Sequence, residues 1–437
     1  MRLNPDKKAC SSRSAIQWLL CAGLILSAID YPIFYGLRLV DFILIAVLLI
    51  YMCGKGGRFR YSTIAWAMLI GLMLVPSLLS LATDLDIDYA RAIFLYKYFF
   101  FVILPAIAYW AFCKAPGGER SNLLLAQSFF IFLFVMIGWV FGHVVLATSG
   151  VLEAHPRVSY LFSKSYFTES MMDSDAHLYS TVLAAVLLSY LIGMARFLQH
   201  SVILQLIITL SGVLALSLTG SRGGLLLFLT GAVFVGALNI GRISSAKVRL
   251  TSVTAGLVLI LVGLGLFQSF ILSGLDGSFA LLERAFSFDF FNDESTRNRL
   301  SLMRLGVNQA FDGGVLVGSG IFFGNQTWFL SIPATVFAHF GMMGFALLIA
   351  MIGLLMRAGC RAYRMHKAWG SKALIILGVV FLANLIGEYA LTSRALIVFV
   401  LCVIFFLQRA FLADGNPPCE LRAQGVPQAR IPKGSLR

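Results

Sequence analysis

Leu, Ile, Val and Phe recur along this chain in blocks of roughly twenty residues, separated by shorter runs of polar and charged positions. A block of that length crosses about 30 Å of hydrocarbon as an α-helix. A transmembrane β-barrel would show short segments alternating between apolar and polar instead. Twelve spans are expected, over residues 15–30, 38–53, 62–82, 92–113, 122–147, 178–198, 201–219, 223–241, 251–273, 327–356, 373–391 and 395–412. The pattern therefore predicts an all-α fold, a polytopic transmembrane helix bundle forming a single integral membrane domain over residues 1–437.

Most connections are short, which makes the helices antiparallel neighbours. Two connections break the pattern, at 150–177 and 274–326, and loops of that length in a compact bundle are commonly functional or disordered. In the second, Asn292-Asp293-Glu294-Ser295-Thr296 is a cluster of N-cap residues, and Leu300, Met303, Val307, Ala310 and Phe311 follow at helical spacing before Gly313-Gly314. The spacing predicts an amphipathic helix over 294–312, lying at the outer interface with its apolar stripe on the bundle or the lipid. Arg297, Arg299 and Arg304 then stand near the headgroup level. The bland alternative is a solvated loop helix. Against it, basic residues are scarce on this side of the membrane.

Composition narrows the class. Of 437 residues, 59% are hydrophobic and 12% charged, with a mean hydropathy of +0.87, whereas soluble chains carry about 25% charged residues. That excludes soluble globular, disordered, collagen-like and disulfide-stapled secreted chains. The net charge of +14 would suggest nucleic acid in a soluble domain, so its distribution matters. The N-terminus, the even-numbered connections and the tail at 413–437 hold most of the 34 Lys and Arg and few of the 20 acids. By the positive-inside rule both termini are cytoplasmic and the two long loops face out. The surplus is then a topology signal and a complement to anionic lipid headgroups, with no nucleic-acid partner expected. The first apolar block lacks a small-residue cleavage site, so no removable signal peptide is expected. The seven cysteines form an odd set, none in an outward loop, and provide neither a disulfide framework nor a C-x-x-C site.

The most specific local signal is Leu218-Thr219-Gly220-Ser221-Arg222-Gly223-Gly224, in the outward turn between the seventh and eighth spans. Arg222 stands at the membrane boundary among glycines that let a backbone approach a ligand, just ahead of a helix whose first N–H groups form an anion site. A guanidinium with a helix N-terminus suits a phosphate or pyrophosphate. The competing reading is an interfacial arginine reaching for headgroups. His339, among Val336, Phe337, Phe340 and Met342, needs a partner or a wet cavity. It is a candidate base for a sugar hydroxyl, or a hydrogen-bonded bundle histidine with no chemistry. Asp173, Asp175 and His177 alternate at period two, but two carboxylates and one imidazole are thin metal evidence, so no metal and no cofactor are expected. Glu388 and Arg394 flank the last outward turn and read as a structural ion pair.

The small-residue turn Thr219-Gly220-Ser221-Arg222-Gly223-Gly224, followed by a span pair, an arginine-bearing loop helix and Val317-Gly318-Ser319-Gly320, resembles the O-antigen ligase and Wzy-type polysaccharide polymerase superfamily. The resemblance covers roughly residues 60–400 and is sharpest over 157–344. It implies a bacterial inner-membrane glycosyltransferase that takes glycans from undecaprenyl pyrophosphate at the periplasmic face, without a nucleotide sugar. The acceptor would be lipid A-core in a ligase or a second lipid-linked glycan in a polymerase. The family's two pyrophosphate-gripping arginines map onto Arg222 and Arg299, with Arg297 as the register alternative, and Ser221, Gly223 and Arg304 adjoin them. A family stretch of the form Arg-x-x-x-x-Phe matches Arg157 to Phe162, which makes Arg157 a third candidate. Many ligases place a histidine a dozen or so residues before a Gly-x-x-Gly. Here the Gly-x-x-Gly is Gly341 to Gly344, and the histidine nearby is His339. A polytopic transporter or lipid-linked glycan flippase is the reading from another class; it predicts broken helices, midplane charges and matching halves.

Overall fold

A computed structural model describes residues 5–29, 32–34, 37–54, 89–113, 118–149, 174–219, 221–240, 294–320, 329, 331–385, 387 and 389–413. The expected spans at 62–82 and 251–273 lie outside these residues, as does the first long loop from 150 to 173. Each of the other ten expected spans coincides with a helix. In chain order these are α1 (Pro5–Ser27), α2 (Leu39–Gly54), α3 (Tyr89–Ala108, extended by a π turn Tyr109–Cys113), α4 (Gly118–Thr148) and α5 (Ser174–Ser189, extended through a π turn to Phe197). There follow α6 (Val202–Leu218), α7 (Arg222–Ile240), the loop helix α8 (Glu294–Asp312), α9 (Ile332–Met365), α10 (Lys367–Leu385) and α11 (Ser393–Ala413). The π turn of α3 comes one turn after Pro105, whose ring and missing N–H disturb the regular ladder. One small departure from the all-α expectation is an antiparallel ribbon of Pro32–Phe34 with Leu37–Arg38.

Six stretches among the described residues are long and apolar enough to cross a membrane: Tyr96–Cys113, Gly118–Leu146, His177–Phe197, Ile332–Met365, Lys367–Leu385 and Ser393–Ala413. This is a helical membrane protein. α5 and α11 make its centre, with 94% and 83% of their most apolar stretches buried. α6 lies outside, where Val202, Ile203, Leu206, Ile207 and Leu210 form an exposed apolar stripe. In water such a stripe would be a liability; against lipid tails it costs nothing.

Contacts sort the helix ends into two groups. At one end the start of α1 meets the end of α3, with Arg13 stacked 4.7 Å from the Trp110 ring. There too, Gln408 of α11 donates to the Gly118 carbonyl and the Ser121 hydroxyl of α4, and Arg409 and Lys372 stack on Phe197 and Trp369. At the other end Tyr96 donates to Asp41, and the starts of α5 and α7 meet. Directly connected helices such as α1 and α2, or α9 and α10, thus run antiparallel, while α2 and α3 run parallel, Tyr51 at the end of one meeting Trp110 at the end of the other.

Two expectations need correction. Residues 357–372 were expected as a connection, yet they are helical: α9 runs to Met365, α10 starts at Lys367, and His366 alone carries the extended turn, its Nδ1 accepting the Trp369 N–H at 3.3 Å. The unbroken part of α9, residues 342–365, is about 36 Å long at 1.5 Å per residue, so it outruns the hydrocarbon, and exposed Arg357, Arg361 and Arg364 occupy the excess.

The second correction concerns the span expected over 327–356. Ser331 caps α9 by accepting the Ala334 N–H, but the helix breaks at Gly341, where φ is +57° and ψ −153°. Into the break fits the segment after α8, which was expected as an outward turn. Val315 and Leu316 carbonyls accept the Met342 and Met343 N–H groups at 2.8 and 3.1 Å, and the Ser319 and Gly320 N–H groups donate to the Ala338 and His339 carbonyls at 3.0 and 2.9 Å. The backbone groups freed by the break are satisfied inside the protein, the condition for irregular backbone at membrane depth. Gly318 (φ +71°) and Gly341 touch main chain to main chain: a Cβ on either would lie 2.5 Å from the other's N.

The φ/ψ of Gly341 is open only to glycine, and other residues there cost on the order of 1–3 kcal/mol before any clash. Gly341→Ala is therefore expected to lower the thermal unfolding midpoint in detergent by several degrees, whereas Gly353→Ala, where a Cβ meets open space in the same helix, leaves it unchanged or raised. Equal midpoints for the two variants would show that the break contributes nothing.

Candidate functional site

The loop helix runs over Glu294–Asp312, as its caps predict, and Gly313 ends it. Only part of the expected apolar stripe faces the bundle. Ala310 is buried and Met303 packs with Phe329, Ala334 and Ala338, while Leu300, Val307 and Phe311 are exposed. The buried line instead runs through Gly306, where a Cβ would lie 2.7 Å from the Phe329 ring, and Gln309, whose Nε2 donates to Ser319 Oγ at 2.8 Å. Glycine at 306 lets α8 sit close on the first half of α9. The Ser319 hydroxyl in turn donates to the Ala338 carbonyl, which ties α8, the inserted loop and α9 into one unit.

His339 lies at the end of that first half, two residues before the break, and is fully buried. Its Nδ1 stands 3.1 Å from the Tyr98 hydroxyl of α3, and the rings of Tyr98, Phe329 and Phe340 meet it edge-on. Tyr98 carried no signal in the sequence: it is one more aromatic residue at the start of an apolar span. The turn Tyr389–Leu391 packs on both α3 and α9 and closes this end of the bundle. Arg394 is buried at the second residue of α11; its expected partner Glu388 lies outside the described residues.

The arginines of α8 do not form one group. Arg297 and Arg304, two turns apart, line an open cavity of about 450 Å³ with Leu300, Ser301, Leu305 and Asn308, all from one face of the helix. Arg299 is half-buried and projects from another face, since two residues turn a helix by about 200°. The register alternative and Arg304 therefore share a groove that the first-choice arginine does not enter.

The small-residue turn joins α6 to α7. Ser221 is buried and its hydroxyl is 2.9 Å from Nδ1 of His177, at the start of α5. Gly224 lies against Ser180, and a Cβ there would come within 2.7 Å of the Ser180 backbone; the space beside Gly223 is open. Arg222 is the first residue of α7, with its side chain outside the described residues. Arg157, Glu169 and Asp173 lie outside them as well, as does the side chain of Asp175, so of the Asp173, Asp175 and His177 trio His177 alone has a described side chain. α10 packs on both α7 and α9 and so links the two parts of the site. Two motifs noted separately in the sequence, the end of the first long loop and the small-residue turn, meet here. Likewise Gly318-Ser319-Gly320 meets His339 and Gly341. No known protein-family model matches the chain, and no curated protein matches its sequence.

Proposed function

We propose that the protein is a glycosyltransferase of lipid-linked glycans, of the O-antigen ligase or polysaccharide polymerase type, acting at the periplasmic face of a bacterial inner membrane. The proposal includes twelve spans, cytoplasmic termini and periplasmic placement of both long loops. The donor is a glycan on undecaprenyl pyrophosphate, its tail among the helices and lipid. Arg222 and Arg299 hold the pyrophosphate, with Arg157 as a third contact and Arg297 as the register alternative to Arg299, and stabilise the charge that grows on it as the anomeric bond breaks. The acceptor oxygen bonds to the anomeric carbon, the electron pair of the broken bond stays on undecaprenyl pyrophosphate, and the acceptor's proton passes to His339 Nε2. The reading assigns no step to a metal or cofactor.

The observation that supports this most is the union of α8 with the first half of α9: the helix carrying three arginines packs, through Met303 on Ala334 and Ala338 and through Gly306 on the preceding Phe329, against the same short helix that carries His339. Anion-binding and proton-accepting groups thus share one end of the bundle. His339 is enclosed as described, so an acceptor reaches it only when Phe329 and α8 shift aside. A transporter or flippase is the second reading, and the glycine-broken α9 and the buried Arg394 of α11 favour that class.

Purified protein in nanodiscs, given an undecaprenyl-pyrophosphate glycan with lipid A-core or with a second lipid-linked repeat, is expected to extend one acceptor and release undecaprenyl pyrophosphate. Extension of lipid A-core identifies a ligase, and of the repeat a polymerase. Movement of the donor across a liposome membrane with no new glycosidic bond would establish the transporter instead.

A further inference from the structure

The small-residue turn is fastened from two sides. On its main chain, the Ser221 N–H donates to Thr219 Oγ1 at 3.4 Å, and the Thr219 hydroxyl donates to the Leu216 carbonyl at 2.6 Å, so the end of α6 holds it. On its side chain, Ser221 Oγ meets His177 Nδ1 at 2.9 Å across 44 residues of sequence. His177 is itself anchored, because the Ser180 hydroxyl donates to the His177 carbonyl at 2.9 Å and Ser180 is the residue against which Gly224 packs. The first turns of α5 and α7 are therefore in main-chain contact, with the imidazole and the hydroxyl bridging them. Ser221 is 1% exposed and His177 is half-buried, so the bridge runs from the interior to the rim of the bundle.

A buried hydroxyl needs a partner. A backbone carbonyl one turn back would serve, as it does for Ser180, Ser189 and Thr209. Ser221 opens its helix and has no such turn behind it, so its partner comes from another helix. What that partner controls is the residue that follows: Arg222, whose backbone, together with the free N–H groups of the first turn of α7, takes its direction from Ser221.

We propose that His177 is a positioning residue for the Arg222 turn, its Nδ1 holding Ser221 Oγ so that the start of α7 keeps the one orientation in which it receives a pyrophosphate. This rests on the lipid-pyrophosphate reading above. His177 touches no reacting atom; it acts through the direction it gives the Arg222 turn. Asparagine, whose amide occupies the place of the Nδ1 edge, is the substitution that keeps the bridge without the imidazole.

The test is binding of undecaprenyl pyrophosphate to full-length protein in nanodiscs, beside donor KM and kcat. His177→Ala is expected to weaken binding and raise KM about tenfold, the scale set by one lost hydrogen bond, with a fall in kcat far smaller than that of Arg222→Ala. His177→Asn is expected to restore most of the affinity. Ser221→Ala removes the same bond from the other side and is expected to match His177→Ala, the double variant being no worse than either single one. Should His177→Ala fail to fold, Ser221→Ala and His177→Asn carry the comparison. Wild-type affinity in His177→Ala or Ser221→Ala, or an asparagine variant as weak as the alanine one, overturns the positioning role alone. Wild-type protein that binds no undecaprenyl pyrophosphate overturns the pyrophosphate reading itself.

Discussion

On the glycosyltransferase proposal, Arg222→Ala is expected to abolish glycan transfer while the protein still inserts and folds, the loss in kcat being about 10²–10³-fold or more, the range for removing one preorganised donor from a developing anion. Arg222 opens α7 beside Gly223, where the protein leaves open space, and directly after Ser221, which is held on α5 and α6. The packing of this turn is carried by its neighbours: Gly224 meets Ser180 and Ser221 meets His177. Truncating Arg222 therefore leaves those contacts in place. Arg222→Lys also fails substantially, because an ammonium offers a point charge where two phosphate oxygens need a planar pair of donors. Arg299→Ala is expected to follow Arg222→Ala, and Arg297→Ala to follow it if the register alternative holds. Near-normal product from Arg222→Ala, measured with the lipid-linked donor, would remove the pyrophosphate clamp.

On the same proposal, His339→Ala is expected to lower turnover by about 10²–10⁴-fold, the contribution of a positioned general base, with a much smaller change in donor affinity. The Tyr98 hydroxyl faces Nδ1, so the base role belongs to the tautomer in which Nδ1–H donates to Tyr98 and Nε2 bears the lone pair that takes the acceptor's proton. Alanine also opens a cavity among Tyr98, Phe329 and Phe340, so the decisive variant is His339→Asn, which keeps a polar group facing Tyr98 but has no basic nitrogen. Turnover retained in His339→Asn would make the imidazole a packing element. A matching loss in Glu169→Gln, Asp173→Asn or Asp175→Asn would then name the base from the first long loop. Tyr98→Phe keeps the ring contacts and is expected to cost about tenfold in kcat, the scale of one lost hydrogen bond to the imidazole.

Much of the architecture is legible in the sequence because hydrocarbon allows few solutions: a backbone crossing it satisfies its own polar groups, and an apolar run of sufficient length is then a helix. That is why ten expected spans coincide with helices, and a helix likewise stands at Glu294–Asp312, where the run of cap-type residues in the sequence and Gly313 bracket it. Which face of α8 is buried was not legible, because Leu300, Val307 and Phe311 are as apolar as Met303 and Ala310, and lipid accepts what the bundle does not. The break at Gly341 was hidden for a related reason. Hydropathy sees an unbroken apolar stretch, while the carbonyls and N–H groups that repair the break come from Val315–Gly320, more than twenty residues upstream. The pairs Tyr98 with His339 and His177 with Ser221 join helices 241 and 44 residues apart in sequence, and no local period records such a meeting. The sequence by itself determined the membrane class, the helices and the residue types suited to binding an anion and accepting a proton. The tertiary structure alone decided which of them meet, since helices of nearly uniform apolarity are told apart only by the glycines and hydroxyls that fit at each crossing.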